Sequence, residues 1–471
     1  MFIRNLILVS LLSFSFAASA SFSDAQRTWE KSSGPASWRR MVIQLVDAGY
    51  PYSAIPFMKE YLTQNREAID ETLDKAFDQL ISRTGVRPFE TLSDSVLEQS
   101  RSSVVRYILA KKKIRKGLAS EALNELARVN PNHPVYPFAM HLRAAAHAML
   151  GKYNEAESDF RDCITFTKQR YNSESNSIKL RQLLFNRDSC IAGLARTSFN
   201  RGRFAQADIQ YLDIPKSSYI WPEILFEEAW NSYYLKNYNR TLGKLVSYKA
   251  PVFDFIFNPE IDVLRSLAYL RMCLYRDVND TAETFYGQWL EPSKELRSFI
   301  VAHGKDYNYY YRLLTTFEKE RTTKDGLMHS LMLSIVKDPA WHEMKQSLFD
   351  SVEEFSRLKV GAEGSRFKSL LQRNLKSVVD DYQDLLGSYG KAQFDEKYNT
   401  LAKAFQDMSY IKLEVLSRKK QALYDDVNLG TSKRGDVKYI ERNDKQYFWT
   451  FNGEFWADEL GDYVFALRSE C

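Results

Sequence analysis

The sequence predicts an all-α fold, built as a solenoid of repeated helix–turn–helix units. The 471-residue chain has few helix-breaking residues, with 13 prolines and 19 glycines, and its hydrophobic fraction of 44% is enough for a folded core. Between Ser103 and Arg170, two adjoining units repeat the same pattern of small and apolar residues, and their starts differ by 34 residues (137 − 103). A fixed period of this length is typical of stacked repeats, in which each helix pair buries its apolar face against the next.

The second of these units, Pro137 to Arg170, carries the clearest pattern. Small residues at Ala144–Ala146 allow a second helix to approach the first closely, and Gly151 stands where a left-handed residue ends the first helix. Ala156, Phe160 and Cys163 then follow at helical spacing on one face of the second helix. An isolated hairpin in an ordinary bundle is the alternative, and the recurrence of the pattern favours repeats.

Further units follow the same register. After an insertion at Tyr171–Arg187, the pattern returns at Asp188–Trp221 and Pro222–Phe255, and a degenerate fifth copy covers Pro259–Pro292. We therefore expect a repeat region of four to five units over residues 103–292, preceded by an N-terminal helical cap at residues 21–102 that is made of divergent helix pairs.

The N-terminus reads as a secretory signal over residues 1–20. Arg4 supplies a basic start, a short apolar run follows, and Ala18–Ala20 forms a small-residue cleavage site. The apolar run is too short for a typical membrane span, although an uncleaved anchor is the alternative. The prediction is an exported protein of the periplasm or cell envelope, with secretion as the alternative.

Helical periodicity continues over residues 293–427, after the repeat period is lost. Three apolar stripes are separated by breaks, and we expect a turn at Gly387–Gly390. The last two stripes fit a helical hairpin, which would project as a coiled-coil arm, but we favour the alternative in which all three stripes simply cap the solenoid. The composition of Asn428–Gly435 predicts a linker.

The tail that follows is rich in aromatic residues. Alternating residues and the dipeptide Asn452-Gly453 predict a small β-hairpin. Its aromatic cluster either packs as core against neighbouring helices, which we favour, or forms a binding platform for carbohydrate or peptide. The cluster consists of Trp449, Phe451, Phe455 and Trp456.

Four cysteines permit two disulfides in an oxidising compartment. Cys163 and Cys190 lie in helices expected to be neighbours, so their pairing is favoured, which leaves Cys273 with Cys471. Buried free thiols are the alternative.

No catalytic motif is present. The six histidines form no HExxH, and no glycine-rich phosphate loop and no Cys/His cluster occurs. We therefore expect no enzyme activity, no cofactor and no metal. A net charge of +5, or +4 without Arg4, argues against a dedicated nucleic-acid-binding protein. The basic run Lys111–Lys116 is interpreted as a solvated helix end rather than an anion-binding patch.

The repeats resemble the tetratricopeptide repeat (TPR) superfamily over Ser103–Pro292, most closely in LGKYNEA (Leu150–Ala156). The whole layout is also similar to exported TPR proteins of predatory and gliding delta-type proteobacteria, in PEILFEEAWNSYYLKNYNRTLGKL, IKLEVL and FNGEFWADELGDY. Members of that group that are lipoproteins carry an acylation cysteine, which this chain lacks at its cleavage site.

These resemblances imply a TPR-type α-solenoid that binds a protein or peptide through its concave face, formed by the first helix of each repeat. Such proteins are envelope scaffolds, some within motility assemblies. Outward positions on those helices are the expected contacts with an envelope protein or peptide, and the alternative is binding to the cell wall or carbohydrate through the aromatic tail. The expected contact residues are Arg106, Lys113, His147, Asn200, Asn231 and Tyr234.

Overall fold

The computed structural model of the protein describes residues 22–65, 69–320, 326–359, 365–424, 444, 447–449 and 451–471. The predicted signal at residues 1–20 and the predicted linker at Asn428–Gly435 lie outside these ranges. Throughout the described residues the regular structure is helical. The α-helices are α1 (22–31), α2 (Pro35–Asp47), α3 (Pro51–Gln64), α4 (Glu71–Thr84), α5 (Arg87–Glu90), α6 (Asp94–Gln99), α7 (Ser103–Arg115), α8 (Ala119–Leu126), α9 (Tyr136–Met149), α10 (Tyr153–Ser173), α11 (Ser177–Asn200), α12 (Phe204–Leu212), α13 (Trp221–Tyr234), α14 (Tyr238–Val246), α15 (Glu260–Arg271), α16 (Tyr275–His303), α17 (Tyr307–Glu320), α18 (Leu327–Val336), α19 (Pro339–Lys359) and α20 (Arg366–Tyr424).

The chain divides into two compact units. One comprises residues 1–197 and 340–386, and the other comprises residues 198–339 and 387–471. Within the first unit, α7 packs on α8, α8 on α9 and α9 on α10; within the second, the same succession runs from α12 to α16. These consecutive antiparallel pairs fit a TPR-type α-solenoid, and the all-α prediction is confirmed for the described residues.

A left-handed residue ends the first helix of all five predicted repeats. It stands at position 15 of each repeat, counted from the first residue (151 − 137 + 1). Gly117, Gly151 and Gly202 have φ of 76°, 71° and 72°, and the fourth and fifth repeats reach φ of 62° and 58° at Lys236 and Cys273. Glycine adopts this conformation without steric cost, whereas other residues do not. The shared backbone geometry supports the register of the weaker repeats.

Between the helices of the second repeat, the core follows the predicted small–large pattern. Ala144, Ala156, Phe160 and Met140 are buried in one cluster. Burial of a side chain the size of phenylalanine contributes about 1.5–3 kcal/mol.

A buried carboxylate holds the start of α3 in the first unit. Glu354 of α19 is inaccessible to solvent, and it accepts hydrogen bonds from the backbone N–H of Tyr52 at 3.1 Å and of Ser53 at 2.7 Å. The Ser53 hydroxyl donates a third at 2.6 Å. Burial raises the pKa of Glu354 to about 7, against these hydrogen bonds.

The predicted turn and helical hairpin around Gly387–Gly390 are wrong, because α20 runs through both glycines without a break. Their role is close packing. A Cβ at Gly387 would lie 2.0 Å from the Tyr307 carbonyl oxygen, and one at Gly390 would lie 2.5 Å from Leu314 Cδ1. The two glycines therefore admit α17 to the surface of α20.

The β-hairpin predicted for the tail is not supported. Residues 447–449 and 451–471 contain no strand, and the remainder of the predicted hairpin lies outside the described residues. The chain bends at Gly453, where φ is 97°. The chain beyond it satisfies its backbone on helices instead, as when Phe465 N–H donates to the Asn239 carbonyl at 3.0 Å.

Candidate protein-interaction site

The predicted contact residues of the first repeat are buried rather than outward-facing. Arg106 Nη1 lies 2.5 Å from Glu125 Oε2, and Lys113 Nζ lies 3.2 Å from Glu125 Oε1. All three side chains are buried. Their predicted exposure is therefore wrong, because the carboxylate of the second helix draws both cations between the helices.

The basic run Lys111–Lys116 ends at an exposed helix end, with the side chains of Arg115 and Lys116 51% and 52% exposed, and several of its cations are paired with acidic residues. Asp94 lies 2.9 Å from Lys112 and 2.5 Å from Lys116, and Glu90 lies 2.7 Å from Arg115. The hydrogen bonds from Lys112 and Lys116 lower the pKa of Asp94. Acidic residues of α5 and α6 thus pair with Lys112, Arg115 and Lys116 of the run.

In the second repeat, His147 is partly buried beside a carboxylate. Its Nδ1 lies 2.7 Å from Asp159 Oδ2, and Arg143 Nη2 donates to the other oxygen of Asp159 at 2.7 Å. Asp159 occupies the same repeat position as Glu125, position 23, so both repeats use a second-helix carboxylate to bind cations of the first helix.

In the fourth repeat the charges are exchanged: the cation is on the second helix and the carboxylate is on the first. Position 23 is Lys244, which is buried and forms an ion pair with the buried Glu228 of α13. Asn231 is also fully buried, and its amide donates to the Phe204 carbonyl at 3.0 Å. The predicted exposure of Asn231 is wrong, because its amide ties α13 to the start of α12.

Two of the six predicted contacts, Asn200 and Tyr234, are exposed. Tyr234 belongs to a continuous aromatic surface in the second unit that the sequence analysis did not identify. Its ring is stacked on Phe204 at 5.0 Å between centroids and lies 5.2 Å from Phe199, and it also contacts Trp230 at 6.2 Å. We call this surface the aromatic ridge, and its members are Phe199, Phe204, Trp230, Tyr233 and Tyr234.

The aromatic ridge is only partly covered. Tyr234 is 49% exposed, and the other four rings are half-buried. At its edge, the exposed Arg271 donates from Nε to the Tyr233 hydroxyl at 3.0 Å, and this hydrogen bond raises the pKa of Arg271. Aromatic surface beside an arginine is the composition that protein-binding hot spots favour. The spacing of Trp230, Tyr233 and Tyr234 on one helix was the available signal.

The tail aromatics are largely exposed, so the core packing that we favoured for them is wrong. Trp449, Phe451 and Trp456 are 66%, 41% and 60% exposed, and Phe455 is half-buried. Phe451 contacts Phe455 at 5.3 Å and Tyr463 at 5.1 Å between ring centroids. These contacts join aromatic rings within the tail and leave much of the indole surface in solvent.

Both favoured disulfide pairings are present. Cys163 is bonded to Cys190, and Cys273 is bonded to Cys471. The first bridge is fully buried between α10 and α11, whereas Cys471 is exposed at the chain end. Both bridges are compatible with an exported protein. Of the helices that the structure describes, none combines the length and apolar character needed to cross a membrane.

Within the described ranges, no group of three histidine, cysteine or acidic side chains is placed to hold a metal ion. No family model matches the chain, and no curated protein matches it. Among solved structures, the chain is similar to a STAND (Signal Transduction ATPase with Numerous Domains) protein with a tetratricopeptide repeat sensor from Pyrococcus horikoshii, at 11% identity and a TM-score of 0.35. The match covers 87% of this chain and 54% of that protein, so this chain spans about half of its length.

Proposed function

We propose that the protein is a non-enzymatic scaffold of the cell envelope that binds a protein or peptide partner through its helical repeats. The observation that carries this proposal is the aromatic ridge. In proteins that the repeats resemble, the first helix of each repeat supplies contacts, and Trp230, Tyr233 and Tyr234 lie on such a helix, α13. The two disulfides and the predicted signal support an exported location.

The chemistry of the aromatic ridge defines the partner segment. The half-buried rings offer a surface for an apolar or aromatic side chain, and Arg271 offers a guanidinium to a neighbouring carboxylate. We therefore expect a peptide that presents an apolar residue beside an acidic one. Because Tyr234 is the most exposed ring of the ridge, it is the best position for a probe.

A photo-crosslinking residue in place of Tyr234, tested in the native envelope, would identify the partner. Tyr219 is the matched control, because it is 75% exposed in the same unit and is not part of the ridge. A specific adduct from position 234 alone is the expected result. Equal adducts from both positions, or none from position 234, would count against the ridge as the binding site.

The exposed tail favours a second candidate, binding to the cell wall or to carbohydrate. Trp449 and Trp456 offer flat apolar faces of the kind on which sugar rings stack. The double substitution Trp449→Ala/Trp456→Ala is then expected to abolish sedimentation with isolated cell wall, while Tyr410→Ala, at another exposed aromatic, leaves it unchanged. Unaltered sedimentation of the double variant would exclude this role.

A further inference from the structure

The C-terminal segment, residues 457–471, lies on the fourth and fifth repeats in a non-helical conformation. Leu460 and Leu467 are its buried apolar residues. At its end, Glu470 N–H donates to the Met272 carbonyl at 2.9 Å, and Cys471 is bonded to Cys273. The segment is therefore seated on the repeats as a peptide ligand would be, with one covalent bond at its terminus.

One side of α14 contacts the main chain of this segment. Asn239 and Gly243 of α14 and Ser247, the residue that directly follows it, are spaced by four residues and so lie on one side of the helix. The Asn239 amide donates to the Leu467 carbonyl and accepts from Leu467 N–H, both at 3.0 Å. Ser247 Oγ accepts from Gly461 N–H at 2.9 Å. The side-chain amide of Asn239 thus binds both the N–H and the carbonyl of one residue of the segment, as it could for the main chain of any peptide.

Gly243 lets the segment approach the helix directly. A Cβ at this position would lie 1.7 Å from the Tyr463 carbonyl oxygen, a contact that no side chain tolerates. A backbone carbonyl cannot yield as a flexible side chain does. Glycine in a helix interior is less favourable than alanine, so this position gives up helix stability and gains room for the segment.

Lys244 adds a charged contact beside this glycine. Its Nζ donates to the Gly461 carbonyl at 3.3 Å while it pairs with Glu228. Outside the core of the contact, Lys216 donates to the Asp458 carbonyl at 2.7 Å. Most of the polar contacts to the segment are thus made to its backbone, and the exceptions include the Asp462 carboxylate, which pairs with Lys216 at 2.9 Å.

We propose that this face of α14 is a peptide-binding site, and that its ligand is the C-terminal segment of this chain, supplied in trans by a second copy when the Cys273–Cys471 bond opens. Every non-covalent contact of the segment can form equally between two copies, as in domain swapping. The exchange is started by a small-molecule thiol, since both copies begin with this bond closed. The thiol attacks Cys273 of the second copy, forms a mixed disulfide there and frees that copy's Cys471 thiolate, which attacks the sulfur of Cys273 in the first copy. The resident Cys471 leaves as a thiolate and attacks the mixed disulfide on the second copy, so the thiol is released again and there is no net oxidation or reduction.

The accessibility of the two disulfides confines the exchange to one of them. Cys471 is exposed and Cys273 is partly accessible, whereas Cys163 and Cys190 are fully buried. Because thiol–disulfide exchange requires access of the attacking thiolate, the buried bridge stays closed.

Two full-length variants test the proposal by complementation. Cys273→Ser keeps only the tail cysteine of this pair, and Cys471→Ser keeps only its acceptor. Mixed in equal amounts in a glutathione redox buffer, the two chains are expected to form a Cys273–Cys471 linked heterodimer in excess of the random proportion relative to the two homodimers. Mass spectrometry of the linked peptides measures that ratio.

Gly243→Ala in the Cys471→Ser chain is expected to return the heterodimer to the random proportion, because its methyl group excludes the segment. Gly287→Ala is the matched control, since a Cβ at that exposed helical position meets nothing within 4 Å. Circular dichroism confirms that each variant is folded. A heterodimer at the random proportion in the parent mixture, no heterodimer, or one unaffected by Gly243→Ala would overturn the proposal.

Discussion

The second and fourth repeats solve the same packing problem with opposite charges. In the second repeat, Asp159 on the second helix binds Arg143 and His147 of the first. In the fourth, Lys244 takes the place of Asp159, and the carboxylate, Glu228, is on the first helix. Either arrangement pairs the charge at position 23 with an opposite charge. Charge pairing alone therefore does not explain why this position is acidic in the second repeat and basic in the fourth.

The difference lies in what covers the second helix. Position 22 is an exposed serine, Ser158, in the second repeat, and it is Gly243 beneath the C-terminal segment in the fourth. A carboxylate at position 23 would repel the Gly461 carbonyl, whereas Lys244 donates to it. The fourth repeat thus keeps the helix pair and changes the surface of its second helix to accept a peptide.

The largest expected effect comes from breaking the buried pair of the fourth repeat. Lys244→Ala leaves Glu228 charged and buried, which is expected to lower the free energy of unfolding by about 3–5 kcal/mol. Asp159→Ala should cost about 1 kcal/mol, because Arg143 and His147 retain contact with solvent. Urea unfolding followed by circular dichroism gives both values. Equal losses would show that the two pairs are equivalent.

The second and fourth repeats are also expected to differ in how their contribution to the free energy of unfolding depends on pH. His141, in the second repeat, stands where the fourth has Phe226. Burial and then the charge of Arg196 lower the pKa of His141 to about 4 from 6.5. The unfolded chain therefore binds the additional proton between these values, and the free energy of unfolding falls as the pH drops from 6.5 to 4, by up to about 3 kcal/mol.

His141→Phe is expected to remove this part of the pH dependence. Urea midpoints at pH 7 and pH 4.5 for both proteins measure it, and His329→Phe serves as a control outside the repeats. An unchanged difference between the two pH values in His141→Phe would contradict the assignment.

Glycine-to-alanine substitution is expected to have opposite effects at a crowded helical position, Gly193, and at an open one, Gly287. A Cβ at Gly193 would lie 2.2 Å from the buried Phe160 ring, so Gly193→Ala is expected to destabilise the first unit by about 2 kcal/mol through overpacking. The open position Gly287 should gain up to about 1 kcal/mol from the same change. Thermal unfolding of both variants measures this contrast, and destabilisation by both would refute it.

The smallest effect is expected at the turn of each repeat. Lys236→Gly should stabilise the fourth repeat by about 1 kcal/mol, because Lys236 has a φ of 62° that glycine adopts freely. Gly151→Lys, the reverse change in the second repeat, should destabilise by a similar amount. Urea midpoints that move in the same direction for both substitutions would contradict equivalent turn geometry.

The parts of the fold that sequence predicted well depend on local chemistry. Gly151 predicted a left-handed helix end, and the favoured pairing of Cys163 with Cys190 followed from the order of the helices. The exposure of the expected contact residues was predicted less well. Arg106, Lys113 and Asn231 were expected to be exposed because they were assigned to outward positions on the first helices, and each is buried by a partner on another helix, 12 to 27 residues away.

The glycines show the same limit. Gly151 and Gly387 are indistinguishable as residues, but one ends a helix and the other lies inside α20 where α17 approaches. A glycine marks either a turn or a close contact, and only the neighbouring element decides which.

By itself, the sequence determined that this protein is helical and repeated, because the spacing of small and apolar residues acts within one helix pair. Tertiary structure decided which side chains of each repeat are exposed. The exposure of the aromatic ridge depends on how the helices pack. The seating of the C-terminal segment on Asn239, Gly243 and Ser247 joins residues more than two hundred positions apart in the sequence. Such contacts leave no periodic trace in the chain, since they join surfaces only after the helices have packed.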